Sequence, residues 1–481
     1  MASHREFLAC PGSRWHSRAM APKRFPAHQF TEDSRQLPRL DTDFVHAGLA
    51  DGQRTQHWDG PRRWWGGPLD VEGLALAATE LCVATINKLV NAEGMYSVDA
   101  HGVAQVFASS EHLKVDGRQI PSFGANSRFF RTRDGWIRTH ANYEHHQRAL
   151  HQALNFETTE NLSEYLLTRS AEEAAADITG HGAIATSVRS RAQWNNTEMG
   201  KSASRGPWAD FTMSEVTQER LWTYSADPAQ PLRGLRVLDF TRVIAGPTAS
   251  RTLALWSAEV LRIDPPHMPE LNGQYIVTGF GKKSIEADLR EVHQLREIQR
   301  LLAGADVVLL GYRPGALDAF GLNAHLLREK YPNLIIGELC AWGYDGPYAF
   351  NRGFDSIVQA ACGIAEIYQD VNGEPGALPV QALDHSVGYG LAAAIIALAD
   401  ARRVQGRTGH VRFSLARTAA SLLELPVTTA PVERLQKPVL RTMGSTFGTL
   451  SYVPPPFRAS GMAMDYLAPP PPYGANAPVW S

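Results

Sequence analysis

One loop of the sequence combines the residue types that bind phosphate. Residues 279–283 have the sequence GFGKK, in which glycines precede a pair of lysines. Glycine lets the backbone approach a ligand closely, and a lysine ammonium forms charge-assisted hydrogen bonds to phosphate oxygens. The loop therefore predicts a phosphate site built on Lys282 and Lys283. A solvated surface charge is the plainer interpretation of each lysine.

A second stretch places a carboxylate, Asp384, just before a predicted helix over 386–399. An aspartate in this place can be an N-cap, because its carboxylate accepts hydrogen bonds from free N–H groups of the first turn. The same N–H groups and the helix dipole favour the charged form of a nucleophilic carboxylate, and Gly388 and Gly390 would leave room for a ligand. Capping preferences alone favour the first interpretation.

The stretch 235–264, LRVLDFTRVIAGPTASRTLALWSAEVLRID, is the element around which these side chains must be positioned. Apolar runs at 235–240 and 260–264 predict buried strands. Between them lies a predicted helix, for which Thr248 and Ser250 are good N-terminal capping types. Such a βαβ unit is right-handed and places the first loop at the carboxyl edge of a parallel sheet, where ligands bind.

The following sequence continues the same alternation of strands and helices. A predicted helix at 292–302 is followed by apolar strands at 307–310 and 333–339. This order indicates an α/β main domain with a Rossmann-like parallel sheet. A dinucleotide-dependent dehydrogenase is disfavoured, because the first loop has only Gly246 and lacks the G-x-G-x-x-G fingerprint. Asp264 could hold a ribose, but it is weak support alone.

Three regions are predicted along the chain. Residues 1–60 lack hydrophobic periodicity, which is typical of a disordered tail; their poverty in acids leaves a transit peptide as the alternative. Residues 61–225 are predicted to form an α+β region that includes a helix over 74–90 and a hairpin over 129–140. After a linker rich in proline, the main domain is predicted over 231–481.

Bulk composition excludes some partners. The chain has 481 residues, 44% of them hydrophobic and 20% charged, and its net charge of -2 gives no field that would attract nucleic acid or an acidic membrane. No apolar run approaches the roughly 20 residues needed to span a bilayer, so we expect no membrane partner. His145, His146 and His151 share a helix without a carboxylate in a zinc pattern, so no metal is expected.

The cysteines indicate a reducing compartment. The sequence has 4 cysteines, without CxxC or Cys/His ligand spacing: Cys10, Cys82, Cys340 and Cys362. Scattered cysteines of this kind are typical of buried thiols in a cytoplasmic protein, with a mitochondrial location as the weaker alternative.

Several motifs together resemble class III CoA-transferases. They are TRVIAGP, GKKSIEADLR, ADVV with YRPGALDAFGL, GYDGPYAFNRGFDSIVQAACGIA, and ALDHSVGYGLAAAIIALADARRVQGRTGHV. That group includes formyl-CoA transferase, carnitine CoA-transferase and α-methylacyl-CoA racemase. The resemblance is specific over 231–425. It implies a Rossmann-like, CoA-binding main domain with a smaller α+β domain.

The resemblance also covers the N-terminal half more loosely. The segment FFRTRDGWIRTHANYEHHQRALHQAL is similar to the family's small domain, which ordinarily follows the main domain instead of preceding it. Members of the family form interlocked homodimers. The resemblance therefore implies a homodimer or, given the changed order, an internal version of the interlock.

Specific roles follow from the resemblance. Asp384 matches the nucleophile that forms an anhydride and then a CoA thioester, and Asp355 is a second carboxylate that would orient the substrate or Asp384. The residues expected to contact CoA are Val243, Ile244, Ala245, Lys282, Lys283 and Arg352. The resemblance implies acyl-CoA and a carboxylic acid as substrates, and no tightly bound cofactor.

Two alternatives remain within the family. The racemase has a histidine where this sequence has Phe354, which cannot carry a proton, although His385 could substitute. A catalytically inactive CoA-binding protein is the other alternative. Gly311 and Ala319 stand where many members have Asn and Arg, and no glycine run follows Leu425.

Overall fold

The computed structural model describes residues 35–53, 56–121, 123–216 and 222–481. Its helices are α1 Thr42–His46, α2 Val71–Val90, α3 Ala100–Phe107, α4 Ser109–His112, α5 Glu144–Leu154, α6 Thr159–Leu167, α7 Ala171–Gly180, α8 Arg191–Asn196, α9 Glu198–Ala203, α10 Ala245–Leu255, α11 Asn272–Thr278, α12 Val292–Ala303, α13 Ala324–Lys330, α14 Asp355–Ala361, α15 Ile364–Ile367, α16 Ala382–Val404 and α17 Leu415–Glu424, with a 3-10 turn at Asp318–Phe320.

The strands are short and fall into several sheets. They are β1 Trp58–Asp59, β2 Tyr96–Asp99, β3 Lys114–Val115, β4 Arg118–Gln119, β5 Phe129–Arg131, β6 Trp136–Thr139, β7 Ala185–Ser187, β8 Asp210–Glu215, β9 Arg236–Phe240, β10 Glu259–Asp264, β11 Lys283–Glu286, β12 Val307–Leu310, β13 Ile335–Cys340, β14 Arg407–Ser414, β15 Arg441–Ser445, β16 Gly448–Tyr452, β17 Phe457–Ala459 and β18 Met462–Ala463.

A 7-stranded sheet with the order β11-β10-β9-β12-β13-β14-β8 forms the centre of the fold. The neighbouring pairs from β11 to β14 are parallel, and β8 pairs with β14 in the antiparallel direction. The chain order reverses between β9 and β12, which is the point at which doubly wound sheets bind ligands. The Rossmann-like α/β fold predicted from the apolar runs is confirmed.

Helices cover both faces of this sheet. Val237 and Val307 belong to the core that contains α10 and α16, whereas Leu238 and Val308 belong to a second core that contains α12. Successive strand residues therefore enter different cores, and the strands are rich in apolar residues because both of their faces are buried.

The two longest helices, α2 and α16, pack against each other in the larger core. By length and hydropathy both could cross a membrane, which corrects the expectation that no apolar run is long enough. In the fold, 78% and 100% of their apolar windows are buried. Burial inside a protein core accounts for such a composition equally well.

A smaller α+β unit lies in the N-terminal half. Strands β5, β6 and β7 form a 3-stranded sheet, on which α5, α6 and α7 pack around their own apolar core. The first two strands form the hairpin predicted over 129–140. We call this unit, residues 123–188, the small domain.

Packing crosses the boundary predicted between residues 225 and 231. Strand β8 joins the main sheet, and α2 packs on α16, although both precede that boundary.

The prediction of a disordered tail over 1–60 is corrected for part of that segment. Residues 1–34 lie outside the described residues, but Phe44 and Leu49 are 0% and 2% exposed in the larger core. Apolar side chains of this segment therefore contribute to the fold.

The capping prediction for the helix after β9 is wrong. Helix α10 begins at Ala245, so Thr248 and Ser250 lie inside it. The N-cap residue, Ile244, makes no side-chain capping bond. Ser250 instead donates a hydrogen bond to Asp239 of β9, at 2.5 Å between Oγ and Oδ2.

Candidate active site

Asp355 and Asp384 form a buried pair at the carboxyl edge of the sheet. Asp355 begins α14 and is 0% exposed, and Asp384 lies in the first turn of α16 and is 7% exposed. The backbone N–H of Asp384 donates to Asp355 Oδ2 at 3.0 Å, and Gln359 donates to Asp355 Oδ1 at 2.5 Å. The structure thus brings together the two carboxylates predicted from the sequence.

Burial and proximity change the protonation of this pair. Burial raises the pKa of Asp355 to about 6, although hydrogen bonds from the Asp384 backbone and Gln359 oppose the shift. Burial, and then the charge of Asp355, raise the pKa of Asp384 well above its usual value. Two carboxylates this close resist simultaneous ionisation, so the pair holds a proton at a pH where isolated aspartates have lost theirs.

We expect the stability of the protein to decrease as pH rises because of this pair. Both pKa values are raised in the folded state, so the folded state binds more protons than the unfolded state between about pH 4 and pH 6 and above. For each extra proton bound by the folded state, the free energy of unfolding falls by up to about 1.4 kcal/mol for every unit by which the pH rises. Urea unfolding at several pH values should show a smaller slope for Asp384→Asn than for the wild type; equal slopes would contradict the prediction.

A close contact between two helices fixes Asp384 beside the loop that follows β9. A Cβ atom on Gly388, one turn after Asp384, would lie 2.5 Å from the carbonyl oxygen of Ala245 and 2.7 Å from Cβ of Thr248. On Gly390, it would lie 2.3 Å from the Trp208 ring. The expectation that these glycines make room for a ligand is therefore corrected, because protein atoms fill the space beside both.

The loop after β9 has a strained backbone. Val243 has φ +71°, a left-handed conformation that a β-branched residue rarely adopts. Its N–H donates to Glu270 Oε2 at 3.0 Å. Ile244 and Ala245 follow and are buried. The three residues predicted to contact CoA thus lie in one segment that begins with the strained Val243 and packs on α16 at Gly388, and their role in binding stays a prediction.

The structure does not support the phosphate site predicted from the two lysines. The side chain of Lys282 is 1% exposed, and its Nζ lies 2.5 Å from Ser250 Oγ and 3.5 Å from Asp239 Oδ2. Burial lowers its pKa to about 7. Lys283 Nζ contacts Glu259 at 2.7 Å, at the amino end of β10 and therefore at the opposite edge of the sheet from Asp384. Both lysines bind the protein itself.

Arginines that sequence reasoning did not single out lie at the carboxyl edge instead. Arg242 follows β9 and Arg313 follows β12, the two strands between which the chain order reverses. Arg352, which was predicted, is exposed and donates to the carbonyl oxygen of Gly182 in the small domain at 2.8 Å. Its pKa is lowered by burial and then by the charge of Arg313. Within the described chain, neither Arg313 nor Arg352 has an ion-pair partner.

Histidines of the small domain lie beside these arginines and are held in the neutral form. Burial, His145, Arg352 and Arg242 together lower the pKa of His146 to about 3. The ring of His140 stacks on Phe354, with 3.7 Å between ring centroids. The position where a racemase carries histidine thus has a phenyl ring covered by an imidazole from another element. These residues lie far apart in sequence, so no local motif predicts that they meet. The only signal in the sequence was that the segments contain His and Arg.

Other candidate residues are used elsewhere. His385 packs on Phe107 of α3, at 4.9 Å between ring centroids. Asp264 is 0% exposed and lies 2.8 Å from Nε of Arg262, so it is not available to a ribose. His151 contacts the carbonyl oxygen of Phe156. Among the described residues, no group of three or more His, Cys, Asp or Glu could hold a metal ion.

The fold and the site together define an α/β protein with a buried carboxylate pair next to the switch point of a doubly wound sheet. Residues 232–460 match the family model of CoA-transferase family III. The family resemblance of the motifs is therefore confirmed for this segment.

Named relatives match the same part of the chain. A probable fatty acyl-CoA transferase of Mycobacterium tuberculosis is 34% identical over 211 residues, 41% of this chain and 54% of the relative. The succinate–glutarate CoA-transferase of Agrobacterium fabrum is 32% identical over 212 residues, 40% of this chain and 53% of the relative. The chain spans about half the length of these relatives.

Solved structures also match only part of the chain. A crystal structure of the mycobacterial protein has a TM-score of 0.37 and 34% identity, and covers 40% of this chain and 55% of that one. A CaiB/BaiF family protein from Brucella suis has a TM-score of 0.38 and 25% identity, and covers 46% of this chain and 65% of that one.

Proposed function

We propose that this protein transfers coenzyme A from an acyl-CoA thioester to a carboxylic acid. The carboxylate pair Asp355–Asp384 carries the proposal, because it lies beside the ligand-binding point of the sheet within the segment that matches CoA-transferase family III. The names of the relatives, among them a succinate–glutarate CoA-transferase, support the same reaction class.

Asp384 would act as the nucleophile. Its carboxylate attacks the thioester carbonyl, the C–S bond breaks, and a mixed anhydride and CoA thiolate form. The thiolate then attacks the aspartyl carbonyl, which releases the donor acid and leaves an aspartyl-CoA thioester. The acceptor carboxylate repeats the two steps in reverse order and regenerates Asp384. A carboxylate with a raised pKa is a stronger nucleophile once it is ionised, and Asp355 supplies part of that rise.

A direct assay would test the reaction. Purified protein is incubated with single acyl-CoAs and a panel of free acids, and new acyl-CoAs are identified by mass spectrometry. We expect products that contain the added acid, together with hydroxylamine-sensitive modification of the peptide around Asp384. CoA binding without any exchange would indicate an inactive CoA-binding protein. Racemisation is disfavoured because Phe354 has no titratable proton.

The phosphates of CoA would bind the arginines at the carboxyl edge. Arg313 lies close enough to Arg352 to lower its pKa, and two cations placed in this way are stabilised when an anion joins them. Arg242 is instead paired with Glu270. Arg313 also borders a groove of about 770 Å³ between α13 and the β13–β14 face. That volume is in the range of cofactor sites.

We expect Arg313→Met and Arg352→Met each to weaken CoA binding by about ten- to a hundred-fold. Loss of one charge-assisted phosphate contact costs about 1.5–3 kcal/mol, which corresponds to that range. Calorimetry with CoA and with dephospho-CoA would show which arginine meets the 3′-phosphate. Lys283→Met is the control and should bind CoA normally, since Lys283 is paired with Glu259 at the other edge. Unchanged affinity in both arginine variants would reject this arrangement.

We also propose that the protein is cytoplasmic. We further propose that the small domain and the main domain of one chain form the contact that two subunits form in an interlocked homodimer. The small domain contacts the main domain of its own chain, through Arg352 and Gly182 and through Tyr143 and Glu270. It would therefore take the place that a second subunit's small domain takes in interlocked homodimers. Mass measurement in solution distinguishes a monomer from a homodimer.

A further inference from the structure

A buried carboxylate, Glu270, connects the small domain to the strained loop of the candidate active site. Its side chain is 1% exposed, between β10 and α11. It accepts the N–H of Val243 at 3.0 Å and a bond from Arg262 Nη2 at 3.2 Å. It also accepts a short hydrogen bond from the hydroxyl of Tyr143.

Tyr143 belongs to the small domain, where it directly precedes α5. It is 5% exposed, and the guanidinium of Arg242 lies 5.3 Å from its ring centroid. Burial alone would raise the pKa of Glu270, but Arg242, Arg262, the Tyr143 hydroxyl and the Val243 N–H lower it below its usual value. Glu270 is therefore a charged acceptor, and such acceptors form the stronger hydrogen bonds.

The conformation of Val243 needs external support. A β-branched residue with φ +71° is strained, and strained residues persist only where surrounding contacts determine them. The preceding part of the loop is held separately, since Thr241 N–H donates to Asp239 Oδ1 at 2.8 Å. Glu270 is the acceptor for Val243 itself, and Ala245, two residues later, packs against Gly388, one helical turn after Asp384.

We propose that Tyr143 and Glu270 are positioning residues, through which docking of the small domain holds Val243 in its left-handed conformation and thereby places residues 243–245 beside Asp384. The proposal extends the transfer reaction proposed above and rests on it for its catalytic consequence. Its structural part, the control of the loop by the small domain, does not depend on which reaction occurs.

A double-mutant cycle of Tyr143→Phe and Val243→Gly tests the proposal. Glycine adopts φ +71° without strain, so removal of the Tyr143 hydroxyl should matter much less when residue 243 is glycine. We expect Tyr143→Phe to lower kcat by about ten-fold with little change in Tm, and we expect Val243→Gly to restore most of that loss in the double variant. A purely structural tyrosine would not be rescued by a change at Val243.

Hydrogen exchange gives a readout that is independent of catalysis. In the free protein, Tyr143→Phe should increase amide exchange of residues 242–245 by about ten-fold in the Val243 background and by at most about two-fold in the Val243→Gly background. Tyr331→Phe is the matched control, since its hydroxyl bonds to the carbonyl oxygen of Gln299 away from the site. This variant should leave the amide exchange rates of residues 242–245 unchanged.

The outcomes separate the two proposals. Equal increases in exchange in both backgrounds, or no increase with Tyr143→Phe, would overturn the positioning role. If the exchange cycle shows the coupling but the wild type transfers no CoA, the positioning role stands and the proposed reaction fails. Loss of exchange protection throughout the small domain would mean that Tyr143 only maintains folding, and this also overturns the proposal.

Discussion

The variant Asp384→Asn should lose CoA transfer by at least about a thousand-fold while CoA still binds within a few-fold. An amide cannot attack a thioester to form an anhydride, and removal of a nucleophile that acts in every turnover costs several powers of ten. The backbone N–H that Asp384 donates to Asp355 remains in the variant, so the first turn of α16 keeps its place. Steady-state transfer and CoA calorimetry measure the two effects.

Stability distinguishes loss of chemistry from loss of fold. Asp384 is buried beside another carboxylate and its pKa is raised, so asparagine removes a source of repulsion at neutral pH. Asp384→Asn should therefore unfold at the same Tm as the wild type or above it. A variant with lower Tm and no activity would not test the mechanism, and Asp384→Ser, which is smaller and neutral, would then replace it.

Asp355→Asn is the informative control. It keeps Asp384 and one acceptor oxygen for the Asp384 N–H, but it removes the charge that raises the pKa of Asp384. We expect a partial loss of about ten- to a hundred-fold, with the hydroxylamine-sensitive adduct on Asp384 retained. Full activity in Asp384→Asn, with Asp355→Asn inactive, would assign the nucleophile to Asp355 instead.

The sequence was sufficient for elements whose pattern is local. Strands β9, β10, β12 and β13 were predicted because parallel strands buried on both faces are short runs dominated by apolar residues. The helix after Asp384 was also predicted, but its start was wrong: α16 begins at Ala382, so Asp384 lies inside the first turn and the N-cap is Gln381. What these elements share is that a window of about ten residues contains the whole signal.

Contacts between distant residues could not be predicted in this way. Lys282 resembles a phosphate ligand because it follows Gly281, yet its buried partner Asp239 lies 43 residues earlier. Tyr143 and Glu270 are 127 residues apart, and neither has a motif of its own. The local sequence around a lysine does not show whether its side chain is buried or exposed, because that depends on residues that the fold brings to it.

The small domain illustrates a different limit. Its hairpin was predicted from a local pattern. The stacking of His140 on Phe354 was not, because the two residues are distant in sequence and meet only in the folded chain. The missing glycine run and the altered Gly311 suggested lost ligand contacts. The structure gives a physical reason for Gly311, since a Cβ atom there would lie 3.0 Å from Cβ of Thr241 at the end of β9.

A second large effect is expected at Gly388, where the space for a side chain is missing. In Gly388→Ala, helix propensity would gain about 1 kcal/mol, but the new methyl would meet the carbonyl oxygen of Ala245 at 2.5 Å. A backbone atom cannot rotate away, so α10 and α16 must separate, and overpacking of this kind costs about 1–3 kcal/mol. We therefore expect a net loss of up to about 2 kcal/mol in the free energy of unfolding.

The loss of activity in Gly388→Ala should exceed what the loss of stability explains. Separation of the two helices moves Asp384 away from residues 243–245, and a displacement of about 1 Å at a reacting group can cost about a hundred-fold in rate. Gly180→Ala is the matched control, since nothing lies within 4 Å of its added Cβ at the end of α7, and it should be neutral or slightly stabilising. Urea unfolding and transfer rates, compared at a temperature where both variants are fully folded, separate the two effects. If Gly388→Ala were as stable and as active as Gly180→Ala, the close contact of α10 and α16 would not be what positions the nucleophile.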